Sequence, residues 1–276
     1  ALLIPIHGPI DQFQSVLVQR GVERALREEF DYLVLDIDTF GGRVDSALEI
    51  ANTLGGAVGI TTVAYVGNTP RGRGVSWSAG ALIAFACNDI YLAPGTSIGA
   101  ATPVLQSPQG QEQASEKTVS AVRGQMAALA ERNGHPPAVA RAMVDASVVL
   151  TAVEVDGELR LLSAPELAAL ETEEEVEITR REVVSEEGKL LTLTAGQMEQ
   201  YGISKGSPRS REALGESLST SGFTVMEPSA TDRVVSVLTS SGFTSLLILA
   251  GLVALFMEIT SPGFGLPGAV ALTAFA

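Results

Sequence analysis

The chain has 276 residues, with 32 acidic against 18 basic side chains and a formal charge of −14 at pH 7. Phosphate backbones are held by clustered Lys and Arg; here the arginines are scattered with no basic stripe, which excludes nucleic acid as a partner. A single cysteine, Cys87, excludes an internal disulfide framework.

In chain order, Leu2–Ile6 reads as a strand, Gln12–Glu29 as an amphipathic helix, Tyr32–Asp38 as a strongly apolar strand and Arg43–Leu54 as a helix. Thr61–Val66 is a further strand, Ala79–Cys87 a buried helix and Asp89–Leu92 a short strand. Such alternation argues for a mainly parallel sheet covered by helices. The Gln-rich segment Ala101–Glu116, with Pro103, Pro108 and Gly110, offers little to bury and is expected to stay mobile until a peptide orders it. A long helix runs from Glu116 to Arg132 and continues over Pro136–Ala146. About residues 153–188 the texture changes to an acidic hairpin insert, with strand-like Val176–Val184 and a glutamate run that reads as solvated surface. Leu190–Leu193 and the helix Ala195–Tyr201 close the soluble part, and Ser207–Pro228 reads as a linker. Phe243–Thr260 is apolar apart from Glu258 and just reaches the length needed to cross a bilayer; the alternative is a buried core helix. The loop Ser261–Gly268 and a second apolar run, Ala269–Ala276, suggest the start of a polytopic membrane region.

Two strand-to-helix crossings concentrate the chemistry. In Gly72–Gly80 a glycine-rich loop ends in Ser78, just where a helix begins. A serine there sits beside unpaired N–H groups and the positive end of the helix dipole, conditions that hold an oxyanion after hydroxyl attack on a carbonyl. The plain alternative is that Ser78 only caps the helix. At the second crossing, Asp36–Arg43, paired glycines leave a strand. In a right-handed parallel arrangement both helices open at one sheet edge, so the amides of Gly41 or Gly42 face that of Ala79 as a two-donor oxyanion hole. Histidine, the usual base, is scarce: His7 and His135 both read as structural or exposed. Lysine is nearly as scarce, and of Lys117, Lys189 and Lys205 the first opens the long helix. A lysine serves as a base only where burial or nearby cations favour its neutral form.

Asp38-Thr39-Phe40-Gly41-Gly42, Ser76-Trp77-Ser78-Ala79-Gly80, Ala93–Ala100, Lys117 and Glu258–Gly265 together resemble the NfeD-type, Clp-class membrane serine proteases, partners of stomatin-like proteins. The resemblance implies an α/β, Clp/crotonase-like protease domain of repeated β-β-α units over residues 1–206. A linker over 207–240 and C-terminal transmembrane helices beginning at 241–276 would follow. It implies a Ser–Lys dyad with Ser78 as nucleophile and Lys117 as general base, and Gly41, Gly42 and Ala79 as oxyanion-hole amides. Thr39, Phe40, Trp77, Ser97 and Ile98 would contact substrate. No cofactor or metal is implied. The expected substrate is an apolar polypeptide segment of a stomatin-like membrane partner. The expected setting is a homodimer or larger oligomer in the lipid bilayer, multi-pass, with its protease domain on the extracytoplasmic side. The chain departs from the pattern at Phe40, where the family usually has proline, at the basic loop Asn68–Val75, and at Trp77, a large ring directly before the nucleophile. Two other readings use the same residues: a non-proteolytic membrane scaffold, and an acyl-CoA enzyme sharing only the oxyanion-hole logic. Side-chain contact between Ser78 and Lys117 favours the protease, and a lysine turned into solvent the scaffold.

Overall fold

The computed structural model describes residues 1–68, 72–107, 110–155, 157–172, 178–227, 241–260, 265, 269, 270 and 273. In chain order the elements are β1 (Leu2–His7), α1 (Gln12–Arg27), β2 (Tyr32–Asp38), α2 (Val44–Gly55), β3 (Thr61–Val66), β4 (Val75–Trp77), α3 (Ala79–Phe85), β5 (Asp89–Leu92) and β6 (Ser97–Gly99). Next come β7 (Val104–Ser107), β8 (Gly110–Gln113), α4 (Glu116–Arg132), α5 (Pro137–Val144), β9 (Leu150–Val155), β10 (Glu158–Ser163), α6 (Ala164–Leu170) and β11 (Ile178–Ser185). The last are β12 (Thr192–Thr194), α7 (Ala195–Gln200), α8 (Arg211–Ser217), β13 (Thr224–Val225) and α9 (Ser241–Thr260). Two units result, Ala1–Glu227 and Pro228–Ala276.

A parallel strand buried on both faces reads as a continuous apolar run, and β2 shows why this chain needs one. Its Leu33, Leu35 and Ile37 pack into the larger core with α1, α2 and α3, while Val34, on the opposite face, meets Leu3, Tyr65, Tyr91, Leu214 and Leu218. Each fully buried aliphatic side chain contributes about 2 kcal/mol. The sheet is parallel throughout, in the order β13-β1-β2-β3-β5. A second sheet, β12-β6-β4, sits at the functional end of the first, and β10-β9-β11 forms a separate antiparallel sheet in the region expected as an insert. The chain is thus a mixed α/β protein.

Two expectations change. The linker expected over Ser207–Pro228 instead holds α8 and β13. β13 extends the main sheet beside β1, and the Met226 N–H donates to the Leu3 carbonyl at 2.8 Å. A sheet apolar on both faces must cover both, and the Ser/Gly composition of this segment hides the few leucines that do it. Ala101–Glu116, expected to be mobile until a peptide orders it, already contains the hairpin β7–β8. Its base is closed by the Ala114 N–H on the Pro103 carbonyl at 3.1 Å, and the Ala101 N–H donates to the Met143 carbonyl at 2.6 Å. Backbone pairing supplies the order that the polar side chains cannot.

In the second unit, α9 covers the apolar run, and its Leu246, Leu249, Leu252, Val253 and Phe256 are exposed. Over the described residues, no helix is long and apolar enough to cross a membrane.

Candidate active site

Three chain crossings build the site. β2 runs on into Thr39, whose N–H donates to the Val75 carbonyl at 2.8 Å and whose carbonyl accepts from the Trp77 N–H at 3.0 Å. This short bridge between Thr39 and Ser76 carries the Gly-Gly turn to the strand that delivers Ser78. The exit of β1 clamps the turn from its other side. There Thr39 Oγ1 donates to the Gly8 carbonyl at 2.6 Å, and the Ile10 N–H donates to the Gly41 carbonyl at 3.0 Å.

Ser78 stands at the junction of β4 and α3 with φ 53° and ψ −119°. Such a conformation is almost confined to glycine, and a residue held there by its surroundings is a mark of a functional site. Strand-to-helix turns of this strained kind push a serine Oγ out of the backbone towards a substrate. Ser78 makes no side-chain cap bond to α3, so the capping alternative fails. Its N–H is fixed by the Gly99 carbonyl at 3.0 Å, and its side chain is half-buried.

Gly41, at φ +115°, lies directly against the serine: a Cβ there would come within 2.5 Å of Ser78 Cβ, 2.9 Å of Ser78 Oγ and 3.3 Å of the Ala79 nitrogen. The Gly41 N–H donates to Thr39 Oγ1 at 2.9 Å, so it serves the turn and not a ligand. Gly42 differs. Its bridge to Ile10 uses the flanking Gly41 carbonyl and Arg43 N–H, which turns the N–H of Gly42 itself away from Ile10. Ala79, the other expected donor, lies in the first turn of α3, where backbone N–H groups have no partner within the helix.

Around the serine the expected substrate residues divide. Phe40 and Trp77 form a tilted ring pair with centroids 5.3 Å apart, and the Arg73 guanidinium lies 4.3 Å over the Phe40 ring. Trp77 Nε1 donates to Ser97 Oγ at 2.9 Å, so Ser97 positions the indole. Ile98 is fully buried in the core, and its strand β6 is paired on both sides, by β4 and β12. Its side chain supports the turn from the core side. Thr39 is buried and engaged with backbone, a structural part of the Gly-Gly turn. A cleft of about 530 Å³ opens here, lined by His7, Asp38, Phe40, Gly41, Arg73 and Val75 among others.

The expected base is placed differently. Lys117 lies in the first turn of α4, exposed, and no hydrogen bond or ion pair joins it to Ser78. Neither histidine reaches the serine. His7 Nε2 bonds Asp36 Oδ2 at 3.1 Å. His135 is buried, with Nε2 donating to the Cys87 carbonyl at 2.9 Å and the ring edge-on to Phe85. Burial holds its pKa below the usual value, opposed by that hydrogen bond. Cys87 is fully buried and its thiol is pushed far up by desolvation, which leaves it inert.

Sequence reading missed Asp38. Its carboxylate accepts the Arg73 N–H at 3.1 Å on both oxygens and the Val75 N–H at 3.4 Å, so it fixes the loop that carries Arg73 and leads into Ser78. The alternation of β2 already placed Asp36 and Asp38 together on the face opposite Leu35 and Ile37, but no local pattern named their partners.

Residues 1–176 match the family model described as NfeD1b, N-terminal domain. The chain belongs to that family. Among curated proteins, this NfeD1b domain is 28% identical over 275 residues to the membrane protein NfeD1b of Bacillus subtilis, covering 99% of this chain and 54% of that one. It is 25% identical over 272 residues to the membrane-bound protease PH1510 of Pyrococcus horikoshii, covering 96% and 54%. The chain therefore spans about half the length of these curated relatives. Among solved structures it resembles a mutant of the 1510-N membrane-bound stomatin-specific protease in complex with a substrate peptide. The TM-score is 0.63 at 20% identity, over 86% of this chain and 96% of that one. A second mutant of the same protease gives 0.61 at 19%, over 83% and 97%. These likenesses establish a shared fold.

Proposed function

We propose that the chain is the proteolytic part of a membrane-associated serine endopeptidase that cleaves apolar polypeptide segments, with Ser78 as nucleophile. The observation that carries this reading is Ser78 itself, held at positive φ with its hydroxyl free of any cap bond and Gly41 packed against it. In the proposed reaction Ser78 Oγ attacks the scissile carbonyl, and its proton passes to Lys117. The oxyanion is held by the N–H groups of Gly42 and Ala79. Lys117 then returns the proton to the leaving amine, and water hydrolyses the ester. The lysine is delivered when peptide binding rearranges β7–β8, the hairpin that leads into α4. Its flexible four-carbon stem gives the amine the reach this delivery needs.

The stomatin-like partner is carried over from the protease relative, a membrane protease specific for a stomatin homologue. Membrane contact is proposed for α9. Counted over its whole sequence it has twenty residues with one acidic side chain, Glu258, near the far end; at about 1.5 Å per residue that is close to the roughly 30 Å of a bilayer core. Multi-pass topology, an extracytoplasmic catalytic domain and assembly as a homodimer or larger belong to the same proposal.

The exposure of Lys117 favours a second reading, a catalytically silent scaffold on the same fold. One experiment separates the two. An apolar fluorogenic peptide is incubated with the full chain, with Ser78→Ala and with Lys117→Arg. The protease reading requires turnover that rises with pH in the wild type and vanishes in both variants, since arginine stays protonated. Turnover surviving in Lys117→Arg moves the base elsewhere. Wild-type turnover no faster than Ser78→Ala leaves the scaffold.

A further inference from the structure

Several arginines of this acidic chain meet a carboxylate, among them Arg24, Arg43, Arg123, Arg160, Arg181 and Arg211. Arg73 meets none among the described residues. Its guanidinium lies on the exposed Phe40 ring, itself backed by Trp77, and it lines the cleft that includes Gly41, the glycine packed against Ser78. Asp38, which lines the same cleft, has its carboxylate engaged by the backbone N–H groups of Arg73 and Val75. His7, on the same rim, is hydrogen-bonded to Asp36. A guanidinium held over an aromatic face through cation–π attraction still has N–H donors to offer, and its fork matches a carboxylate bidentately. In a chain of net charge −14 this is a local focus of positive potential at a cleft mouth.

We infer that Arg73, lying over the Phe40 ring that Trp77 backs, is a specificity determinant that accepts an acidic side chain of the polypeptide near the scissile bond. The apolar remainder of the segment would lie along the aromatic pair. The inference rests on Ser78 being the nucleophile of a peptidase, and it names one feature of the substrate that this reading leaves open. The two departures from the family pattern at Phe40 and the basic loop then serve one purpose, since the ring supports the cation and the loop delivers it.

The test uses the full chain. A single Glu is moved through the positions flanking the cleavage site of an apolar fluorogenic peptide, each peptide matched by its Gln counterpart. At one position the wild type is expected to cleave the Glu peptide with kcat/KM about fivefold above the Gln peptide, the upper range for a partly exposed ion pair, and the advantage should shrink as salt rises. Arg73→Gln should erase the advantage, so that this variant cleaves the Glu and Gln peptides with equal kcat/KM. Arg73→Lys should recover only part of it. Binding of the same pair to Ser78→Ala should show the same preference. An equal rate on Glu and Gln peptides throughout, or a preference that persists in Arg73→Gln, overturns the inference and leaves the peptidase standing. If no peptide is cleaved, the peptidase reading fails, and a Glu preference in binding that depends on Arg73 would still uphold the acidic site. Loss of both cleavage and binding overturns both.

Discussion

Ser78 holds a backbone conformation that stores energy, and its neighbours keep it there through the Gly99 carbonyl and the packing of Gly41. Removing the side chain while keeping the turn should release that strain. Ser78→Gly is therefore expected to be more stable than the wild type by about 1 kcal/mol and inactive. Urea unfolding beside a peptide assay checks both, and a destabilised Ser78→Gly would mean that the hydroxyl carries a structural bond. Gly41→Ala should act in the opposite direction. Its φ of +115° and the 2.5 Å approach to Ser78 Cβ make it destabilising by about 1–3 kcal/mol. Any residual fold should lack turnover, because the methyl occupies the space of the nucleophile.

Between α4 and α5, His135 ties the break to the end of α3 through the Cys87 carbonyl. Burial lowers its pKa in the folded state, so the unfolded chain takes up the proton first, near its ordinary value of 6.5. Protons bound preferentially by the unfolded chain cost stability. The contribution is intact above that pH, and stability should fall as pH drops through it and on through the lower folded value. Thermal melts at pH 7 and pH 5 should show this loss. In His135→Gln, which retains an N–H donor, the difference between the two pH values should narrow. An unchanged difference would assign the acid sensitivity to other groups.

At the scale of the whole molecule, the return of the chain from α8 to Met226 closes the sheet and supplies Arg211 to buried Asp36, which is 1% exposed. Truncation after Glu227 should leave a folded domain with an unchanged melting transition. Truncation after Gly206 uncovers Leu3, Val34 and Tyr65 and leaves Asp36 with His7 alone. Removing one partner of a buried charge costs about 3–5 kcal/mol, so this shorter chain should be insoluble or molten. A cooperative native transition in it would show that α8 and β13 are dispensable.

Local chemistry was legible along the chain. The small residues flanking Ser78, the paired glycines after β2 and the alternation of strand and helix all act through the backbone within a few residues, so the sequence by itself determined the mixed α/β class and singled out the strained serine and the turn facing it. Only the tertiary structure decided which groups meet. Asp38 anchors a loop 35 residues away, the Gly41 amide is taken by Thr39, Ile98 is buried in the core, and a Ser/Gly-rich segment becomes the cover of a sheet face. Lys117 also belongs to this second class, because its reach to Ser78 depends on how β7–β8 and α4 are set against the site. Spacing and composition record what a residue can do, whereas partners far apart in sequence are chosen by the packing of complete elements, where every apolar face must be covered and every buried charge must find its counterpart.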